Sequence, residues 1–176
     1  QEAAKVLNFS TQKTMRLAQQ LYEGVDLKNN GTVGLISYLR TDSTRISAEA
    51  DAAAREYIRS QYGEQYAAKG DTTENKNKKA QDAHEAIRPT DVTRTPTVLK
   101  ESLSRDQFRL YQLIWKRFVA SRMEAAKYET MSVRIKGGEY WFTVSASRIS
   151  FDGFMSVYVQ EEDEKKDSGA HLKNLE

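Results

Sequence analysis

A tyrosine and an arginine two residues apart hold the first chemical potential of this sequence. They lie in Ile36-Ser37-Tyr38-Leu39-Arg40-Thr41-Asp42-Ser43. In an extended segment, Tyr38 and Arg40 would point to the same face, because side chains alternate along a strand. A phenol with a pKa of about 10 is a poor nucleophile at neutral pH, and a neighbouring guanidinium favours its anion. The same cation binds a phosphate through a bidentate fork. The second block is Gln81-Asp82-Ala83-His84-Glu85-Ala86-Ile87-Arg88-Pro89-Thr90. Its imidazole, beside a carboxylate and four residues before Arg88, can donate to a phosphate oxygen or shuttle a proton. Each block also has an ordinary reading, a strand-end tyrosine beside a surface arginine and a hydrogen-bonded loop histidine. Neither identifies a function by itself.

Composition narrows the chemistry further. The chain has 176 residues, enough for one medium domain or two small ones. Its 27 Lys+Arg against 25 Asp+Glu leave a net charge of +2, with a pI of about 8.7. That balance permits an anionic partner without requiring one. The absence of cysteine excludes disulfides, thiol nucleophiles and thiolate metal sites. His84 and His171 are the only histidines, which excludes a His-rich zinc site. Mean hydropathy is −0.73, yet 6 Phe, 9 Tyr and 2 Trp argue against a wholly disordered chain. No apolar run approaches the ~20 residues that cross a bilayer. Gln1 in place of an initiator Met predicts a segment of a longer polypeptide.

The elements that must position these blocks follow from periodicity and capping. Ser10 or Thr11 caps a helix in which Met15, Leu17, Ala18, Leu21 and Tyr22 recur at helical spacing, with Gly24 as its stop. Asn29-Asn30-Gly31 marks a turn, and residues 32–38 read as a short extended segment. Ser47 caps a helix through Tyr62, ended by Gly63, with Ala48, Ala52 and Ile58 as its small apolar positions. Residues 64–81, rich in Lys, Asn and Thr, read as a solvated loop. Ser104 and Gln107 form a capping box. They open the clearest helix, with Phe108, Tyr111, Ile114, Trp115, Phe118, Val119 and Arg122 on one stripe. That stripe is read as helix core rather than a base-stacking platform. From Tyr128 the period becomes two: Met131, Val133 and Ile135, a Gly137-Gly138 turn, then Tyr140, Phe142 and Val144. Residues 151–159 read as a third strand and residues 161–176 as a charged, frayed tail.

Taken together and in order, several segments resemble the type IA DNA topoisomerases. They are Gln20-Leu21-Tyr22-Glu23, residues 34–43 and Ala83-His84-Glu85-Ala86-Ile87-Arg88-Pro89-Thr90. Residues 110–118 and Phe151-Asp152-Gly153-Phe154 are similar to the bacterial topoisomerase I subgroup, as is Leu39 between Tyr38 and Arg40. The resemblance implies a mixed α and β fold. A mainly helical, tyrosine-bearing domain with a helix-turn-helix-like arrangement, residues 1–127, precedes antiparallel strands of a partial β arch, residues 128–160. Residues 125–129 would be the pivot between them.

For function, the resemblance implies that Tyr38 attacks a phosphodiester of single-stranded DNA and becomes joined to its 5′ side. Arg40 would sit near the scissile phosphate and His84 would contact phosphate and handle protons. Arg88, Thr41, Ser43 and Glu85 would support DNA binding, Glu85 as an orienting partner rather than a metal ligand. Mg²⁺ would be bound by a Toprim domain of the complete polypeptide, with no metal or other cofactor held by residues 1–176. Without that domain the chain alone would not relax supercoils. The implied partners are DNA, as a single-stranded segment in negatively supercoiled duplex, and the remaining domains of the same polypeptide, with no membrane. The implied setting is cytoplasmic and nucleoid-associated. The competing reading of the residues is a non-catalytic helix-turn-helix-type DNA-binding module. In it Arg40, Arg88 and the lysines of 69–79 only touch phosphates. A structural domain without nucleic acid would leave both blocks unexplained.

Overall fold

A computed structural model describes residues 1–28, 31–70 and 84–159. The turn at Asn29-Asn30, residues 71–83 and the tail from 160 onward lie outside the described residues. The fold is mixed α and β, with a helical body and two small antiparallel sheets. Helix α1 spans Glu2–Leu7, and α2 spans Thr11–Glu23. Ser10 is the cap of α2: its Oγ accepts from the Lys13 N–H at 3.2 Å. Leu17 and Leu21 of this helix are buried, and Gly24 ends it. Strands β1 (Val25–Leu27) and β2 (Gly31–Val33) pair antiparallel directly afterwards. Of residues 32–38, expected as one extended segment, only 32 and 33 belong to β2; residues 34–38 follow as irregular chain with one bridge at Ile36.

Helix α3 spans Ala48–Tyr62 between the Ser47 cap and Gly63, as its sequence predicts. Its buried residues are Ala54 and Ile58. Ala48 and Ala52 are exposed. Ile58 sets the inward face, and Ala54, one turn before it, shares that face. Ala52 lies six residues before Ile58, about a third of a turn aside. The expected loop at 64–81 begins instead with a 3₁₀ turn, Glu64–Tyr66. Ala67 and Ala68 are buried, and Ala67 bridges Met123. Small apolar side chains let this segment lie against the end of the longest helix rather than in solvent.

A short helix α4 (Pro96–Leu99), capped by Thr95 and opened by Pro96, precedes α5 (Arg105–Ser121). The capping box at Ser104 and Gln107 forms, with both reciprocal hydrogen bonds present. Helix α5 is the axis of the body and packs against α1, α2 and α4. Tyr111, Trp115, Phe118 and Val119 of the predicted stripe are buried, joined by Leu110. Their polar atoms are satisfied inside: Trp115 Nε1 donates to Val92 O at 2.9 Å and Tyr111 Oη to Arg94 O at 2.6 Å. Burial pushes the Tyr111 phenol well above its ordinary pKa. Each such side chain contributes about 1.5–3 kcal/mol by leaving water. The stripe is core.

Strands β3 (Lys127–Gly137) and β4 (Tyr140–Phe151) form a long hairpin. Gly137 is its last paired residue, opposite Tyr140, so the turn is Gly138-Glu139 rather than Gly137-Gly138. Gly138, at φ 64°, supplies the left-handed conformation that a two-residue turn needs. A register shift between Lys127 and Tyr128 bends the hairpin where it leaves the body.

The expected third strand does not form. Phe151 ends β4, Gly153–Met155 is a 3₁₀ turn, and residues 156–159 are helical. Gly153, at φ 52°, turns the chain back so that the Phe154 N–H reaches Glu124 O at 2.9 Å. Val157 is then buried in the body. Tyr66 fastens the same junction, its hydroxyl donating to Asp152 Oδ1 at 2.7 Å. A Cβ on Gly153 would lie 2.5 Å from Glu124 O. Gly153→Ala is therefore expected to destabilise the chain by at least about 1–2 kcal/mol, from positive-φ strain plus backbone clash. A lowered urea midpoint would register the loss, and an unchanged midpoint would remove the lock.

Candidate active site

The two chemical blocks are brought together by backbone pairing. Ser37 N–H donates to Arg88 O at 2.8 Å, and Thr90 N–H to Leu35 O at 3.0 Å, around the bridge between Ile36 and Pro89. Ser37 Oγ donates to Ala86 O and accepts from the Arg88 N–H, both at 2.9 Å. Thr90 Oγ1 donates to Gly34 O at 2.8 Å. Leu35, Ile36 and Pro89 are buried beneath this ladder, and the Leu35 N–H reaches Leu21 O of α2 at 2.8 Å. Gly34 has to be glycine: a Cβ there would stand 2.7 Å from Tyr22 O.

Beyond the last pair the chain leaves the core and presents Tyr38, which is 55% exposed. His84 lies against it, with ring centroids 6.0 Å apart and planes 29° from parallel. Tyr22 of α2 meets the Tyr38 ring edge-on at 5.6 Å. Arg40 is held by Asp42, Nε to Oδ2 at 2.9 Å. The same Oδ2 lies 3.9 Å from His84 Nδ1. A phenol, an imidazole and a guanidinium thus share one solvent-facing patch, with the Asp42 carboxylate paired to the guanidinium and close to the imidazole. Such a patch can present a nucleophile, a proton carrier and a fixed cation to an anionic group.

The comparisons with known proteins meet this geometry. The family profile described as DNA topoisomerase matches residues 1–176. The solved structure of full-length topoisomerase I from Thermotoga maritima superimposes with a TM-score of 0.75 at 43% identity, over 89% of this chain. This chain belongs to the type IA DNA topoisomerase family. It spans 25% of the length of the Thermotoga chain.

The other predicted residues of this topoisomerase chain divide by position. Arg88 Nε pairs with Glu85 Oε2 at 2.8 Å, and Arg88 Nη1 donates to Pro89 O at 3.0 Å. Both side chains are half-buried, and Arg88 lines a cleft of about 780 Å³ beside Glu49 and Tyr57 of α3. Its guanidinium is engaged within its own segment. Ser43 is buried, and its Oγ accepts from the Arg45 N–H at 3.1 Å, which makes it a turn-former. Thr41 borders a cavity of about 920 Å³ between its loop, α1, α2 and α5. Among the described residues no three potential metal ligands converge. No helix among the described residues is long and apolar enough to cross a membrane.

Sequence reasoning missed Asp42, Tyr22 and Ser37. Asp42 stands inside the quoted block, and its place two residues after Arg40 was the available signal. Nothing in the spacing marked Tyr22 as a neighbour of Tyr38, because β1 and β2 lie between them. The Ser37 hydroxyl carries two of the bonds that join the blocks. Ser37→Ala is expected to cost about 1–2 kcal/mol by leaving the Arg88 N–H and Ala86 O without that partner. Chemical denaturation measures it; a variant as stable as the parent would show that the ladder holds without the hydroxyl.

Proposed function

We propose that this chain is the tyrosine-bearing part of an ATP-independent enzyme that cleaves and rejoins one DNA strand to relax negative supercoils. What carries the reading is the stacking of the exposed Tyr38 ring on His84, in a patch where Asp42 also holds Arg40. The Tyr38 oxygen attacks a backbone phosphorus in single-stranded DNA. An oxygen–phosphorus bond to the phenol forms as the bond to the 3′ oxygen breaks. The phenolic proton is lost and the 3′ oxygen leaves as a hydroxyl. The DNA 5′ phosphate stays esterified to Tyr38, and the reverse attack restores the strand without an external energy source.

Arg40 offsets charge on the phosphate oxygens, where a preorganised cation acts most strongly. Its partner Asp42 yields the guanidinium to the phosphate as DNA enters. His84 hydrogen-bonds a phosphate oxygen and handles the departing or returning proton. Arg88 and Glu85 brace the His84 segment, and Thr41 and Ser43 shape the loop that carries Arg40. Mg²⁺ belongs, in this proposal, to a Toprim domain of the complete polypeptide. The isolated chain accordingly binds DNA weakly and leaves supercoils unrelaxed. Chromosomal DNA as substrate implies a cytoplasmic, nucleoid-associated setting.

Two substitutions in the complete polypeptide test the roles. Tyr38→Phe should abolish both relaxation and the covalent DNA adduct while leaving most of the DNA affinity. Relaxation at the parental rate would refute the nucleophile. His84→Ala should slow cleavage about a hundredfold or more, in the range of a lost general acid or base, with a much smaller change in affinity. An equal loss in both would confine His84 to binding.

A further inference from the structure

The hairpin carries an aromatic ring and two cations that neither the core nor the site at Tyr38 uses. Lys136 stands directly across from Trp141, and Arg134 follows two residues along on the same face. The Lys136 ammonium and the Arg134 guanidinium each lie 5.8 Å from the centre of the indole. Trp141 is 60% exposed, whereas Trp115 is core. Behind the cations come two rungs of facing hydroxyls, at 2.8 and 3.2 Å. No carboxylate stands among the paired residues of this face. Glu129 lies on the other face, bound to Arg148 at 2.6 Å.

We infer that this face is a second contact for nucleic acid, on which one single strand lies along the hairpin. A base stacks on Trp141 and its phosphates meet Arg134 and Lys136. Same-face side chains stand about 7 Å apart along a strand, so the two cations form a short track rather than one point charge. Their attraction to the indole holds two long side chains near the ring before a ligand arrives. The hydroxyls add donors of the kind that contact backbone phosphates. A ring beside paired cations fits a single strand better than a duplex, whose bases are already stacked on one another. An acidic peptide would satisfy the charges but leave the exposed indole without a stacking partner. Most of the exposed apolar side chains that a protein partner would cover, Met131, Val133, Ile135, Phe142 and Val144, lie on the opposite face.

The inference rests on nucleic acid being the substrate, not on Tyr38 as the nucleophile. Its test is a fluorescence titration of the 176-residue chain with oligodeoxythymidine. Binding should quench the emission, and Trp141→Ala should remove that quench and weaken affinity about 5- to 150-fold. Buried Trp115 still reports an intact fold in the variant. Arg134→Gln with Lys136→Gln should lower the slope of log affinity against log salt by about 1.4, two phosphates at about 0.7 each. Tyr38→Phe should leave the quench unchanged. Loss of the quench in Tyr38→Phe would move the strand to the active site and overturn this inference alone. A retained quench, with full relaxation by the Tyr38→Phe complete polypeptide, would overturn the nucleophile alone. Persistence of the quench in Trp141→Ala, or an unchanged salt slope, would overturn the inference. So would equal quenching by a duplex of the same length or by polyglutamate. A change in emission with chain concentration and no oligonucleotide would assign the face to a second copy and overturn it too.

Discussion

The site depends on a short antiparallel contact between two segments about fifty residues apart. Closing a loop of that length costs about 3.5 kcal/mol in chain entropy, before any constant term. The return comes from backbone bonds on both sides of the Ile36–Pro89 bridge, from the double use of Ser37 Oγ, and from the burial of Leu35, Ile36 and Pro89. At about 1 kcal/mol net per hydrogen bond, the polar contacts alone are comparable to the closure term, and the apolar burial supplies the surplus. The two chemical ends emerge just past this clamp. Tyr38 follows Ser37 directly, and His84 precedes Ala86 by two residues. Their stacking is a consequence of the register.

Asp42 gives the patch its electrostatic logic. An arginine beside a phenol in water would be a mobile, hydrated cation. The contact to Asp42 restricts Arg40, while an exposed ion pair of this kind is worth little in stability. For the proposed function a weak pair is useful, because a phosphate would take over the guanidinium at small cost. The nearby Arg88–Glu85 pair is half-buried and tied to the backbone as well, so it is the costlier one to open. The two arginines therefore have different availability. Arg40 is free to exchange partners, and Arg88 is part of the frame.

Much of this was legible where the signal is local. Ser47, Gly63 and the Ser104–Gln107 box delimit helices by donors and acceptors within four residues, and the stripe of α5 carries its own period. The long hairpin was equally plain from its alternation. What failed was decided by distant partners. Residues 151–159 have strand-like composition, yet Gly153 and the waiting carbonyl of Glu124 turn them into a helical return. Ala67 and Ala68 looked like part of a solvated loop until Met123 and Arg122 gave their backbone a place to pair. Both chemical blocks could be read residue by residue, whereas the stacking of Tyr22, Tyr38 and His84 could not. Three rings from three parts of the chain meet only in the folded register.

The junction at the foot of the hairpin links these observations to the body. Glu124 uses both polar groups of its backbone there: its N–H reaches Tyr66 O at 2.8 Å and its carbonyl accepts from Phe154 at 2.9 Å. Tyr66 adds its bond to Asp152 and its ring against Phe151, with centroids 4.9 Å apart. Gly153 permits the close approach of the returning chain to Glu124 and Ala125. The bend at Lys127 and Tyr128 follows at once on the other strand. A two-stranded ribbon is only marginally stable alone in water, so its base must be held by something outside it. The clamp at 124 and 153 does this on both strands. The ribbon therefore joins the end of α5 through a compact junction in which these polar contacts, the Tyr66–Phe151 ring pair and the buried Val157 act together.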